Sequence, residues 1–160
     1  LKVIANSSPL ITLSLVKKLN IFKELYGKII IPQAVFDEII PKDKGKYGIE
    51  EIESAIESGW IIRKKIRNRM AVEMLLSELD IGEAEAIVLA REEKANLIIL
   101  DNRKPRRIAK SLSFNVIGTL GVLKQAHMSG LVKNLKDILD EIKLKGFWIS
   151  QDLYTEILKK

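Results

Sequence analysis

The sequence predicts a three-layer α/β/α sandwich with a mostly parallel central sheet, and three observations predict it. Short apolar runs that read as strands alternate with helical segments from one end of the chain to the other. The runs Val3 to Ala5, Ile29 to Ile31 and Leu97 to Leu100 are apolar on both faces, the composition of strands buried inside a parallel sheet. Polar residues follow directly, Asn6-Ser7-Ser8 after the first run and Asp101 after the last of these. Strand ends of that kind form the edge where open α/β sheets gather ligands.

Taken in order, Val3 to Ala5 forms the first strand, and Ser8 is placed to cap a helix from Pro9 to about Lys18. Asn20 caps a short helix, Ile21 to Tyr26, that Gly27 closes. Lys28 to Ile31 is the second strand. Pro32 starts a helix whose buried side is Ala34, Val35, Phe36, Ile39 and Ile40, and Pro41 ends it. Lys42 to Gly48 reads as a flexible connection, Ile49 to Ser58 as an amphipathic helix stopped by Gly59, and Trp60 to Ile62 as the third strand. Met70 to Ser77 is helical, Leu79 to Gly82 is a connector, and Glu83 to about Lys94 is a helix leading into the fourth strand, Ala95 to Leu100. Val116 and Ile117 make a brief fifth strand before Gly118 and Thr119, the expected cap of a helix ending near Gly130. A helix from Asn134 to Lys145 leads to an appendage from about residue 146, a strand at Phe147 to Ile149 and a helix at Asp152 to Lys159.

Composition narrows the chemistry. The 160 residues, 47% apolar and 30% charged, suit one well-cored domain over 1–160. No cysteine is present, which excludes disulfides, thiol catalysis and the common zinc sites. The single histidine, His127, lies midway along an apolar helix and reads as structural. No apolar run approaches the roughly 18 residues of a membrane span, and no signal-like segment opens the sequence, so a soluble cytoplasmic protein is expected. The net charge of +6 suits an anionic partner, as does a lysine-rich surface with no such role. Two basic runs stand out, Arg63 to Arg69 with five basic residues in seven and Arg103 to Lys110 with five in eight. Each is a candidate anion contact, with a plainer reading beside it: a solvated turn before the next helix for the first run and a solvated face for the second.

Topology brings several acids to one edge. Asp101 ends a strand, Glu38 lies early in a helix leaving a strand, and Glu83 and Glu85 lie early in the helix returning to the fourth strand. All four, with Asn6, can converge there. Carboxylates brought together raise one another's pKa unless a cation lies between them, and Mg²⁺ or Mn²⁺ is the natural occupant of an all-oxygen site. Such an ion supports phosphodiester hydrolysis with neither histidine nor cysteine. Each residue also has a plain structural reading: Asn6 as a turn residue, Glu83 as a first-turn acid, Asp101 as a helix cap, Glu38 as the partner of a surface lysine. Glu83 and Glu85 lie about 200° apart around a helix, so only one of them is expected to face a shared site.

Four segments together resemble a known family. They are the strand with Asn6-Ser7-Ser8-Pro9-Leu10, the IIIPQAVFDEII segment around Glu38, GEAEAIVLA from Gly82 to Ala90, and LIILDNRKPRRIAK from Leu97. In this order they are similar to PIN-domain proteins, and more narrowly to the VapC-like prokaryotic PIN group, whose GTLGVLKQA segment is echoed from Gly118 to Ala126. The resemblance implies a PIN α/β/α fold and a metal-dependent ribonuclease site of clustered acids. By position it matches Asn6 to the first acid, Glu38 to the second, Glu85 to the third and Asp101 to the fourth, with Asn102 an alternative for the last. PIN nucleases normally carry aspartate where this chain has Asn6, which keeps a ligand oxygen but brings no charge. Ser7 is placed to add an oxygen or a hydrogen bond to phosphate. The functions implied are a Mg²⁺- or Mn²⁺-dependent endoribonuclease, as the toxin of a toxin–antitoxin pair, or a catalytically weakened module that binds RNA or a protein without cutting. Arg103, Lys104, Arg106 and Arg107 are expected to contact RNA. An antitoxin and a second copy of the chain are the protein partners considered, and no membrane is.

Overall fold

The structure, a computed structural model, describes residues 1–40 and 49–159. The elements are β1 (Val3–Ala5), α1 (Ser7–Leu15), α2 (Asn20–Tyr26), β2 (Ile29–Pro32), α3 (Gln33–Ile39), α4 (Ile49–Glu57) and β3 (Ile61–Lys64). They continue as α5 (Arg69–Leu75), α6 (Ile81–Glu93), β4 (Leu97–Ile99), α7 (Arg103–Ser111), β5 (Val116–Ile117), α8 (Thr119–Met128), α9 (Leu135–Leu144) and α10 (Gln151–Leu158). No helix among the described residues is long and apolar enough to cross a membrane.

The strands form one parallel sheet in the order β3-β2-β1-β4-β5. β1 lies in the middle, as its apolar composition predicts. Side chains alternate across the sheet. Val3, Ala5, Ile29, Ile31 and Ile99 point into a core shared with α1 to α4 and α8 to α10. Ile4, Ile30, Ile98 and Leu100 point into a second core shared with α5, α6 and α7. Both faces are therefore dry, which explains why these strands show no polar alternation. Helix α6 is buried without a break from Gly82 to Ala90. Its small residues let it pack against the sheet and neighbouring helices at once, so it lacks the amphipathic stripe of a surface helix.

Several local expectations change. Asn6, not Ser8, holds the N-cap position of α1, with extended backbone at φ −83° and ψ 173°. The reason is that its N–H still belongs to the sheet, donating to the Ile99 carbonyl at 3.1 Å, so the helix begins directly after the ladder ends. Of the expected pair Gly118 and Thr119, Gly118 holds the N-cap position of α8. The expected connector Leu79 to Gly82 instead contains the start of α6. There Asp80 accepts the Glu83 N–H at 2.8 Å and Glu83 accepts the Asp80 N–H at 3.2 Å, a reciprocal capping box. The expected strand at Phe147 to Ile149 is absent; these residues run between α9 and α10 with no ladder partner. Their alternation is satisfied by packing, since Phe147 and Ile149 lie against the first core while Trp148 is 83% exposed. The helix stop at Pro41 and the connection Lys42 to Gly48 lie outside the described residues. The His127 Nδ1 lies 2.8 Å from the Val132 carbonyl, a contact that ties α8 to the residues after it.

The last helix is tied down partly by charge. The Tyr154 hydroxyl donates to Asp140 Oδ1 at 2.6 Å and the Lys136 ammonium to Oδ2 at 2.9 Å. These two hydrogen bonds, Tyr154 foremost, hold the Asp140 carboxyl below its usual range. A depressed carboxylate pKa contributes stability above the unfolded-state value, and that contribution is lost as pH falls through the folded-state value. Amide exchange in 151–158 is therefore expected to speed up as pH drops below about 4, once the intrinsic pH dependence of exchange is divided out. Tyr154→Phe should show faster exchange at neutral pH and a smaller acid step. An acid step equal to wild type in Tyr154→Phe would refute this account of the docking.

Candidate functional site

Strand order reverses between β1 and β4, because the chain leaves β1 to build β2 and β3 on one side and returns to build β4 and β5 on the other. The residues following these two strands flank the crevice where α/β sheets bind ligands. They are Asn6-Ser7-Ser8 after β1, and Asp101-Asn102 just beyond β4. Ser8 Oγ donates across the crevice to Asp101 Oδ2 at 3.3 Å. The expected edge is thus present, and its acids divide into two groups.

The first group surrounds Gly82, in the first turn of α6. A side-chain carbon at this position would lie 3.0 Å from Glu38 Oε2, 3.4 Å from Asn6 Oδ1 and 3.6 Å from Asp80 Oδ1. Three oxygens from three elements therefore face one small notch that only glycine leaves open. Asn6 is 6% exposed, and its Oδ1 has no hydrogen-bond partner. An orphaned buried acceptor costs about 1–3 kcal/mol, so it asks for a ligand. Glu38 and Asp80 are exposed at the rim, which leaves the notch open to solvent. Ser7 Oγ donates to Glu38 Oε2 at 2.8 Å and fixes that carboxylate against the start of α1. Asp80 is the residue that sequence reasoning missed. Its signal was the D-x-x-E spacing of Asp80 and Glu83, a capping box hidden inside what reads as a connector.

The second group spends its oxygens on the protein. Glu85, 3% exposed, accepts the Ala34 N–H at 2.9 Å through Oε1 and pairs with the Arg69 guanidinium at 3.2 Å through Oε2. It therefore caps, from α6, the first turn of the helix that carries Glu38. Asp101 accepts the Thr119 N–H at 2.7 Å and the Thr119 hydroxyl at 2.7 Å, and so caps α8 from the end of β4. Glu83 accepts the Asn102 side-chain N–H at 2.9 Å in addition to its capping bond. Glu83 and Glu85 thus engage different partners, as their angular separation on the helix requires. Among the described residues no three acidic or histidine side chains gather closely enough to hold an ion by themselves.

The basic runs also separate. Arg63 stacks on Phe36 with its guanidinium carbon 4.1 Å from the ring centre, Lys64 donates to Glu93 at 2.6 Å, Arg67 lies 3.8 Å from Glu92 and Arg69 is held by Glu85. Much of that run is paired with carboxylates of α6. In α7, Pro105 and Ala109 face the core while Arg103, Lys104, Arg107 and Lys110 are exposed. Arg106 turns inward and donates to the Leu100 carbonyl at 2.8 Å, passing beside Gly118.

A hard divalent cation fits the Gly82 notch by donor chemistry. Mg²⁺-type ions take oxygen ligands, usually one or two carboxylates with several waters, and the notch offers one amide oxygen and two carboxylates. Asn6 lowers the charge that such an ion would meet.

Comparison with known proteins agrees with this fold. A family model described as PIN domain matches residues 2–160, and no curated protein matches the chain. The match takes in the whole sheet, the Gly82 notch and both trans-capped helices, and the chain belongs to the PIN-domain family.

Proposed function

We propose that this protein is a divalent-metal-dependent endoribonuclease of the VapC-like PIN type, working at the crevice between β1 and β4. Membership of the PIN family supports nuclease-type chemistry. The observation that carries the metal dependence is the unpartnered Asn6 Oδ1 facing Glu38 across the Gly82 notch. Asn6 and Glu38 would hold Mg²⁺ or Mn²⁺, which when bound polarises a water and a phosphate oxygen.

The chain's own residues do the rest. The Ser7 hydroxyl keeps Glu38 turned to the notch, and Glu85 anchors the helix on which Glu38 rides. Asp101 faces the crevice from β4, oriented by Ser8 and Thr119. The exposed face of α7, with Arg103, Lys104 and Arg107, attracts the RNA backbone, while Arg106 stiffens the floor beside Asp101 through its bond to Leu100. A toxin role with a dedicated antitoxin is the biological setting we propose.

A second reading is favoured by one observation. Glu85 and Asp101 give their oxygens to backbone and side-chain N–H and O–H groups, and position 6 is neutral. A site with so little free negative charge suits a module that binds RNA or a protein partner without cutting.

Cleavage of a labelled RNA in Mn²⁺ decides between them. The nuclease reading expects slow cleavage abolished by chelation, raised about tenfold or more by Asn6→Asp as ligand charge increases, and lowered by Asp101→Asn. Binding without cleavage by both wild type and Asn6→Asp would establish the module instead.

RNA affinity should also fall steeply with salt. Replacing Arg103 and Arg107 with alanine is expected to reduce the log–log salt slope by about 1–2. An unchanged slope would return α7 to an ordinary solvated face.

A further inference from the structure

We infer that Asp80 is the third oxygen donor of the cation notch, in the role that the family resemblance gave to Glu85. The inference rests on the cation reading above and concerns which side chains of this chain make the site.

Asp80 Oδ1 lies 3.6 Å from the point where a Gly82 side chain would begin, alongside the Glu38 and Asn6 oxygens. Two carboxylate oxygens and an unpartnered amide oxygen facing one gap repel one another, and a shared cation removes that repulsion. The capping bond from the Glu83 N–H, at 2.8 Å, goes to this same Oδ1 and fixes its direction, and the oxygen keeps a second lone pair for a ligand. Asp80 therefore reaches the notch already oriented. Glu85 has no such freedom. To reach an ion it would have to release the Ala34 N–H and the Arg69 guanidinium, uncapping the helix that positions Glu38. It is also almost fully buried, whereas Asp80 and Glu38 stand at the open rim.

Two substitutions separate a donor from a cap. Asparagine serves as an N-cap about as well as aspartate, so Asp80→Asn keeps the start of α6 while removing one charge from the notch. Glu85→Gln removes the charge partner of Arg69 but keeps a side-chain oxygen to accept the Ala34 N–H, so the cap that positions Glu38 is retained. Mn²⁺ binding to the RNA-free chain, followed by calorimetry, should weaken about tenfold or more in Asp80→Asn, with melting in chelator close to wild type. Glu85→Gln should bind Mn²⁺ as wild type does but melt lower in chelator. Mn²⁺ affinity unchanged in Asp80→Asn, or lost instead in Glu85→Gln, overturns the assignment while the cation reading stands. Failure of the wild-type chain to bind Mn²⁺ at millimolar concentration overturns both.

Discussion

The parallel pairing of β1 with β2 on one side and β4 on the other is the constraint on which the rest depends. It uses the backbone of β1 up to Asn6, whose N–H is the last rung toward β4. Only after that rung is the chain free to turn into α1. Asn6 is therefore buried by the sheet rather than by choice of side chain, and its amide oxygen arrives at the crevice with no protein donor to meet it. The same reversal of strand order carries Asp101 to the opposite wall.

Helix ends at this edge are stabilised from outside their own sequence. α3 begins with Pro32 at its N-cap position and has no side-chain cap of its own; Glu85 supplies one from α6. α8 begins after a glycine and takes its cap from Asp101. A carboxylate at a helix N-terminus satisfies an orphan N–H and meets the positive end of the helix dipole. These acids thus hold together the walls of the crevice, and charge in the notch comes from residues at its rim.

Glycine defines the shape of both walls. Gly82 leaves the space into which Glu38, Asn6 and Asp80 point, and Gly118 leaves the space in which the Arg106 guanidinium and the Asp101 carboxylate pass. On the β1 side the notch gathers oxygen acceptors. On the β4 side a guanidinium lies nearby, and the exposed face of α7 continues the positive charge outward. The proposed reading rests on this contrast between an acceptor-rich notch and a cationic slope.

The sequence by itself determined the sheet and its edge. Runs such as Val3 to Ala5 and Leu97 to Leu100 are too apolar for a wet face, and only an interior parallel strand buries them on both sides. The positions of Asn6, Glu38 and Asp101 near that edge follow from alternation alone, because every strand end and helix start meets there. Tertiary structure decided what each oxygen meets, and left Asn6 Oδ1 without a partner. Whether Glu85 faces an ion or the Ala34 N–H depends on how closely α6 packs on α3, a distance no local pattern encodes. Phe147 to Ile149 shows the same limit, since its alternation is that of a strand but its burial comes from helices. Asp80 was written in the sequence as a capping spacing, yet its place beside Asn6 and Glu38 exists only because Gly82 brings α6 down onto the end of β1.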